Sequence, residues 1–501
     1  MMAGACAGFV PSDMVPAIDD TLFPLEPTPN LPPVKEEERA PVAKTFRPYD
    51  PHQVLLLPPS LDEWLPEGHL ARFVSELVEE ALDLSAIRAV YTEERGYPPY
   101  DPRLMVKLLI YGYCTGQRSS RVIEKRCHDD VAFRYLAAGA APDYRSIARF
   151  RRRHLQALAG LFLQALRLCQ RAGMVRLGKV ALDGTKLRAN ASRHKAMSYK
   201  RMVEREAQLE AEIDRMLAEA ERQDAAEDER FGPDGRDDDL PEELNRRVDR
   251  LLKIREAKQA LEEEARRAAA EKAAERADAQ DLDEQAKAAK VEAAASKAVP
   301  RPKAQRNFTD PDARIMKMPD GAFHECYNGQ VMVDEAYQVI VAADTTQCAA
   351  DALSLLPMLE QHDANCGRLP GQLLADAGYC AEESLQSLAE MNVDALIATG
   401  RWPHGQPPPP APRGRIPANA TARERMARKT RTKKGRADYA RRKAIVEPVF
   451  GQMTILQGAR HLLLRGQQAA QAEWRLLCAC HNLRKLFGVL GPTHRTGLAL
   501  A

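Results

Sequence analysis

The sequence predicts a mixed α/β core: a mixed sheet with helices packed on it, preceded by a helical region and split by a long helical insert. Three observations carry this. Apolar residues recur at helical spacing from about residue 46 to 172. β-type runs stand at 179–187 and 323–346 and return at 371–376 and 393–401, with helical segments between the later ones. A charged, Ala-rich stretch at 196–298 separates the first β-type run from the rest.

The elements follow in chain order. Residues 1–45 carry eight prolines and little periodicity, and read as a disordered tail. LARFVSELVEEALDL (70–84) and DPRLMVKLLIYGYCTG (101–116) have helical spacing, with Pro102 suited to a first turn. PDYRSIARFRRRHLQALAGLFLQAL (142–166) reads as a helix with Arg145, Arg149, Arg151, Arg152, Arg153 and His154 in its first turns. Two readings stand for 46–172: a DNA-binding unit, or a helical bundle with a charged face. On the first reading Arg149, Arg152 and Arg153, spaced three and four apart, hold DNA phosphate.

KVALDGTKL (179–187) is a first strand. In the insert, Leu244, Val248, Leu251, Ile254 and Leu261 fall near spacings of three and four. That predicts long helices broken near 231–239, in an antiparallel coiled-coil-like hairpin; the alternative is partly disordered charged helix. FHECYNGQVMVDEAYQVIVAADTT (323–346) is two strands joined at DEAY. GQLLAD and VDALIATGR are further strands, each preceded by a helical segment. The expected sheet therefore has three early strands, antiparallel, then helix-linked parallel ones. Four prolines at 407–410 and a basic stretch make 403–436 a loop, before the last helical region to about 490 and a disordered tail at 491–501.

Composition bounds the partners only locally. The net charge is +2 and the hydrophobic content 45%. From Arg413 to Lys443, however, thirteen Lys or Arg face two acids, Glu424 and Asp438. Such a stretch suits phosphate or makes a solvated linker. The scattered cysteines form no disulfide framework, and Cys478 and Cys480 fall in an amphipathic helical pattern as core. Absence of a leader pattern or a long apolar run points to the cytoplasm and no membrane.

Three acids stand out by context. Asp183 lies in the first strand, Asp376 ends the fourth, and Glu447 lies on the helix after the basic stretch. If the insert is an excursion, the first and fourth strands are neighbours and the aspartates lie near one end of the sheet. Clustered carboxylates repel unless a cation joins them. Hard oxygen ligands suit Mg2+ or Mn2+, and a pair of ions serves in-line phosphoryl transfer. Asp376 also has a plainer reading, as turn former or helix cap.

KVALDGTKLRANAS, DARIMKMPDGAFHECYNGQVMVDEAYQVIVAADTTQ, LLADAGY and YARRKAIVEPVFGQM followed by HLLLRG resemble the DDE transposases of bacterial insertion sequences. LPEGHLARFV, YPPYDPRLMVKLLIYGYCTGQRSSRVIEKRC and PDYRSIARFRRRH resemble the helical domain that precedes the family's catalytic core. The resemblance spans about residues 46–490. It implies a five-stranded RNase H-like domain formed by 173–195 and 299–490, interrupted by the 196–298 insertion and preceded by a DNA-binding domain at 46–172. Asp183, Asp376 and Glu447 would be catalytic acids holding Mg2+ or Mn2+, as two ions. Tyr439, Arg442 and Lys443 would lie against DNA. The family pattern has four spaced positions, Tyr, Arg, Glu and Lys. Here four residues rather than three separate Arg442 from Glu447, Lys443 takes the position nearer the acid, and Thr454 stands where the later lysine falls. The implied activity is binding of an element's terminal repeats, DNA cleavage and strand transfer by a homodimer on double-stranded DNA in the nucleoid. The rivals are a decayed DNA-binding copy, a structural protein organised by the insert, and a nuclease without strand transfer.

Overall fold

The structure is a computed structural model that describes residues 60–92, 98–231, 242–278, 280, 283–400, 410 and 414–491. The expected tail at 1–45 and most of the proline run lie outside the described residues.

Among the described residues eight strands form: β1 (Lys179–Arg188), β2 (Ala196–Ser198), β3 (Gln305–Asn307), β4 (Arg314–Lys317), β5 (Phe323–Asp334), β6 (Ile340–Thr346), β7 (Gln372–Ala375) and β8 (Ala395–Ile397). The main sheet runs β6-β5-β1-β7-β8, with β4 sharing the β5 edge beside β6. β5 is antiparallel to both β1 and β6, whereas β1, β7 and β8 are mutually parallel. This is the mixed RNase H-like order expected, with one strand more than the five foreseen. The extra strand, β4, is four residues long and pairs only with Phe323–Cys326. So short a run shows no periodicity of its own. β7 is buried along its whole length, as a parallel strand covered on both faces should be.

The helices before β1 share the sheet's apolar core. Helix Leu155–Arg171 packs along the C-terminal helix Gln467–Leu490, whose Trp474 covers Gly329 of β5. A Cβ at 329 would meet Leu187 at 2.8 Å and Trp474 at 3.0 Å, so glycine lets this helix lie close on the sheet. Cys478 and Cys480 are core residues, and the nine described cysteines are all free.

A buried polar network locks the same junction. Arg118 Nη1 lies 3.1 Å from Glu473 Oε1, which also accepts from Tyr113 Oη at 3.1 Å. Glu473 Oε2 accepts from the backbone N–H groups of Leu463 and Leu464 at 2.8 and 2.9 Å. Arg151 donates to Tyr113 Oη, the Arg118 carbonyl and Ser120 Oγ. Arg118 is paired, the carboxylate is fully used and Arg151 is held by neutral acceptors, which makes their burial tolerable.

The insert leaves the core between β2 and β3, which pair antiparallel from Ala196↔Asn307 to Ser198↔Gln305. Beyond this neck run helices Tyr199–Phe231, Glu242–Asp278 and Glu284–Ser296. Met202, Leu209, Leu251, Ile254, Ala257 and Leu261 form a separate apolar seam between the first two of these. The basic stretch differs from the expected loop. Thr421 and Glu424 make a capping box that starts helix Ala422–Arg431, and Thr432 caps helix Lys433–Leu456. Met426, packed against the core, anchors the first of these.

Candidate functional site

The sheet brings two of the three predicted acids together. Leu182 of β1 pairs with Ala375 of β7, so the next residues, Asp183 and Asp376, stand side by side on adjacent parallel strands. Neighbouring strands lie about 4.8 Å apart, and residues in register share a face. Asp376 Oδ1 also accepts from the Gly378 N–H at 2.8 Å and caps the turn Ala377–Tyr379. The cap reading and the site reading therefore both apply to this residue.

Arg442 supplies the counter-charge. Its Nη1 lies 2.7 Å from Asp183 Oδ2, with both side chains largely enclosed. Burial pushes the Asp183 carboxyl above its usual range, the nearby Asp376 charge adds to this, and Arg442 acts against it. Burial opposes the Arg442 charge, but Asp183, Tyr439 and Asp376 more than offset that and its pKa rises. Tyr439 is half-buried on the same helix, with its guanidinium neighbour 6.0 Å from the ring centre, and burial raises its pKa. The helix is held along β1 by a further pair, Lys179 Nζ to Asp438 Oδ1 at 2.7 Å.

Glu447 stands apart. It follows Arg442 by five residues, roughly 140° around the helix, so the turn that presents Arg442 to Asp183 turns Glu447 away. It is exposed and has no hydrogen-bond or ion-pair partner among the described residues. Lys443 is exposed as well. Among the described residues, no group of three His, Cys, Asp or Glu is close enough to hold a metal ion.

One acid near the site has no signal in the sequence. Asp351 Oδ1 accepts from Asn328 Nδ2 at 2.6 Å and Gln330 Nε2 at 2.9 Å, and lies 3.4 Å from Lys186 Nζ. A Cβ on Gly184 would meet Gln330 Nε2 at 2.5 Å and Asp351 Oδ1 at 3.0 Å, and one on Gly378 would meet Asp351 Oδ2 at 3.2 Å. Glycine at 184 in β1 and at 378 in the turn after β7 thus lets Asp351 approach beside both aspartates. Tyr379, fully buried beside them, is driven up by burial and then by the charges of Asp351, Asp183 and Asp376. The sequence does not mark Asp351, because its partners come from strands remote along the chain.

The donor set suits a hard cation in part. Mg2+ is commonly held by one or two carboxylates with substrate phosphates completing its shell. Asp183 and Asp376 offer that pair, and Arg442 now balances charge that a cation would balance.

The N-terminal arginines divide. Arg149, Arg152 and Arg153 are exposed on helix Tyr144–Arg153, while Arg151 is buried in the network above. Arg153 stacks on Tyr91 at 4.8 Å and donates to the Val90 carbonyl at 2.9 Å. Arg149 and Arg153 line one cleft of about 430 Å³ with Tyr91 and Tyr100.

The mixed sheet and the helices packed on it define a domain of RNase H-like architecture, with the two aspartates paired on its central strands. Residues 296–483 match the transposase DDE domain, and residues 59–153 match a second transposase domain, DUF772. The chain belongs to the DDE transposases of insertion sequences. That family generally uses divalent metal ions. No curated protein and no solved structure matches the chain. Asp376 and Glu447 fall within the matched DDE segment, whereas β1 with Asp183 lies between the two matches. Among the described residues, no helix is long and apolar enough to cross a membrane.

Proposed function

We propose that this transposase binds the terminal repeats of its own element, cleaves the DNA there and joins the freed 3′-OH to target DNA, acting as a homodimer on nucleoid DNA. The juxtaposition of Asp183, midway along β1, with Asp376, just past the end of β7, carries the reading. These carboxylates would hold the divalent ions, two in number and Mg2+ or Mn2+, and Glu447 of the covering helix would be the third acid of the set. The ions, when bound, stabilise charge on the attacking and leaving oxygens of the phosphate. Arg442, paired with Asp183 at 2.7 Å, would hold the scissile phosphate once released from that pair. Lys443 and Tyr439, one and two turns from Glu447 on the same side of the helix, extend this contact along the DNA backbone. Arg149, Arg152 and Arg153 hold phosphate outside the reacting site.

The exposed Glu447 and the threonine at 454 favour a second reading, a DNA-binding protein that no longer cleaves. One assay separates the two. Duplexes carrying the DNA that flanks the coding region are incubated with Mn2+, and nicking, 3′-end joining and binding are measured. Cleavage by the wild type, lost in Asp183→Asn, Asp376→Asn and Glu447→Gln with binding kept, is the expected result. Binding without cleavage by the wild type supports the second reading. Cleavage at near wild-type rate by any one variant removes that residue from the acid set.

A further inference from the structure

The base of the insert carries a cavity of about 650 Å³ bounded by four separate segments of chain. Lys195 comes from the segment after β1, Arg201, Arg246, Arg250 and Lys253 from the two long insert helices, and Arg465 from the turn before the C-terminal helix. One acid, Asp249, lines it with them. Six cations around one acid repel one another unless an anion joins them.

The remainder of the insert does not share this imbalance. On the other side of the same helices the cations are matched: Arg255 and Lys258 pair with Glu206, and Arg247 with Glu212. Among the described residues, Lys195, Arg201, Arg250 and Lys253 have no acidic partner. Arg465 is aimed by Asn190, whose backbone oxygen accepts from its Nε at 2.9 Å. Thr309, also in the wall, has its hydroxyl buried with no partner. The segregation of matched and unmatched cations on opposite sides of one helix pair is what a phosphate-binding surface requires, and a merely solvated face does not.

Position gives the ligand. β1 runs roughly 17 Å from Asp183 to Arg188, at about 3.3 Å per residue, and the chain then continues into Lys195. The cavity therefore lies beyond the end of the strand that bears the first aspartate. We propose that the insert's base is a second nucleic-acid site: Arg201, Arg250 and Lys253, with Lys195 and Arg465, bind backbone phosphates of duplex DNA that extends past the cleavage site. The inference rests on the transposase reading for the nature of the anion, and on the charge segregation for its place.

The test uses the full chain and a labelled 30-base-pair duplex of arbitrary sequence, with affinity measured from 50 to 300 mM NaCl. The triple variant Arg201→Ala/Arg250→Ala/Lys253→Ala should lower the slope of log affinity against log salt by two to three, at about 0.9 per lost phosphate contact. Arg255→Ala, on the matched side, should leave the slope within one unit of wild type. Thermal melting accompanies each variant, and Arg250→Glu alone serves if the triple variant does not fold. A folded triple variant, or a folded Arg250→Glu, with the wild-type slope overturns the site while leaving the transposase reading intact. If the wild type binds no duplex at all, the transposase reading fails together with this one. A slope lost equally in Arg255→Ala also overturns the site, since the binding is then diffuse.

Discussion

The core and the insert solve the same problem, helix packed on helix, in opposite ways. Where helix Leu155–Arg171 meets Gln467–Leu490 the contact is broad and apolar, and the charges there, Arg118 and Glu473, are sealed from solvent. The insert's two long helices meet along a seam of six buried residues, flanked by ion pairs that remain partly wet. At this junction the core pairs a charge by enclosing it, so the Arg118–Glu473 pair is costly to break. The insert leaves charges in water, so its pairs are cheap, and its unmatched cations remain available to a ligand.

The largest effect on stability belongs to the buried network. Glu473→Ala strands the enclosed Arg118 cation, the Tyr113 hydroxyl and two backbone N–H groups at once. Breaking a buried pair from one side costs about 3–5 kcal/mol. Urea unfolding should show it as a lower midpoint at unchanged slope. A loss under 1 kcal/mol would mean that water reaches this network, and the contrast between the two regions would weaken.

Acid should strike the core next. His362 and His481 are buried, and burial holds both pKa values at about 4, against 6.5 for an exposed imidazole. The unfolded chain therefore binds more protons between pH 6.5 and 4, and folding stability falls as pH drops through that window. Each histidine contributes up to roughly 3 kcal/mol of this loss, at about 1.4 kcal/mol per unit. Neither ring nitrogen of His362 has a partner among the described residues, so His362→Leu removes the titration without breaking a bond. Stability measured from pH 7 to 4 should fall less steeply in that variant. An unchanged slope would place the acid sensitivity elsewhere.

How much of this was legible depends on where the partners of a residue lie. The parallel placement of β1 and β7, and with it the Asp183–Asp376 pair, follows from apolar runs ending in an acid and from treating the insert as an excursion. The seam of Leu251, Ile254 and Leu261 was readable from helical spacing alone. Arg151 was not, because in a run of basic residues nothing local distinguishes the one that turns inward. Asp351 was hidden for the same reason, since Lys186, Asn328 and Gln330 reach it from other strands. Glu447 shows the converse: its sequence neighbourhood marks it as a site residue, while helix geometry gives the place facing Asp183 to Arg442. Spacing fixes periodicity but not the rotation of one helix on a sheet.

Excising the insert tests its independence from the core. Ser198 and Gln305 are paired across the neck, so a short Gly/Ser turn can replace residues 200–303. The remaining protein should keep its core helices and melt within a few degrees of the full chain, because the insert's apolar seam is separate from the core cluster. Self-association and the salt dependence of DNA binding should both fall. A melting temperature lowered by more than about 10 °C, a shift that 1 kcal/mol alone does not produce in a protein this large, would show that the two regions fold as one.

The smallest expected effect is the sharpest counterpart to Glu473. Lys258 Nζ lies 2.7 Å from Glu206 Oε2, closer than Arg118 lies to Glu473, yet both side chains are partly exposed. Distance alone would rank this the stronger pair. Solvent reverses the order, because water screens the attraction and already solvates both ends when they part. Lys258→Met keeps most of the apolar stem and removes the charge, and should cost roughly 0.2–1 kcal/mol, shrinking further in 1 M NaCl. Glu206 also pairs with Arg255, which limits the loss. A double-mutant cycle with Glu206→Gln, monitored by melting of the insert's helical signal, isolates the coupling from other changes. A coupling above about 2 kcal/mol that persists in high salt would mean the insert's ion pairs are enclosed in solution, as by a second copy of the chain or by DNA laid across them.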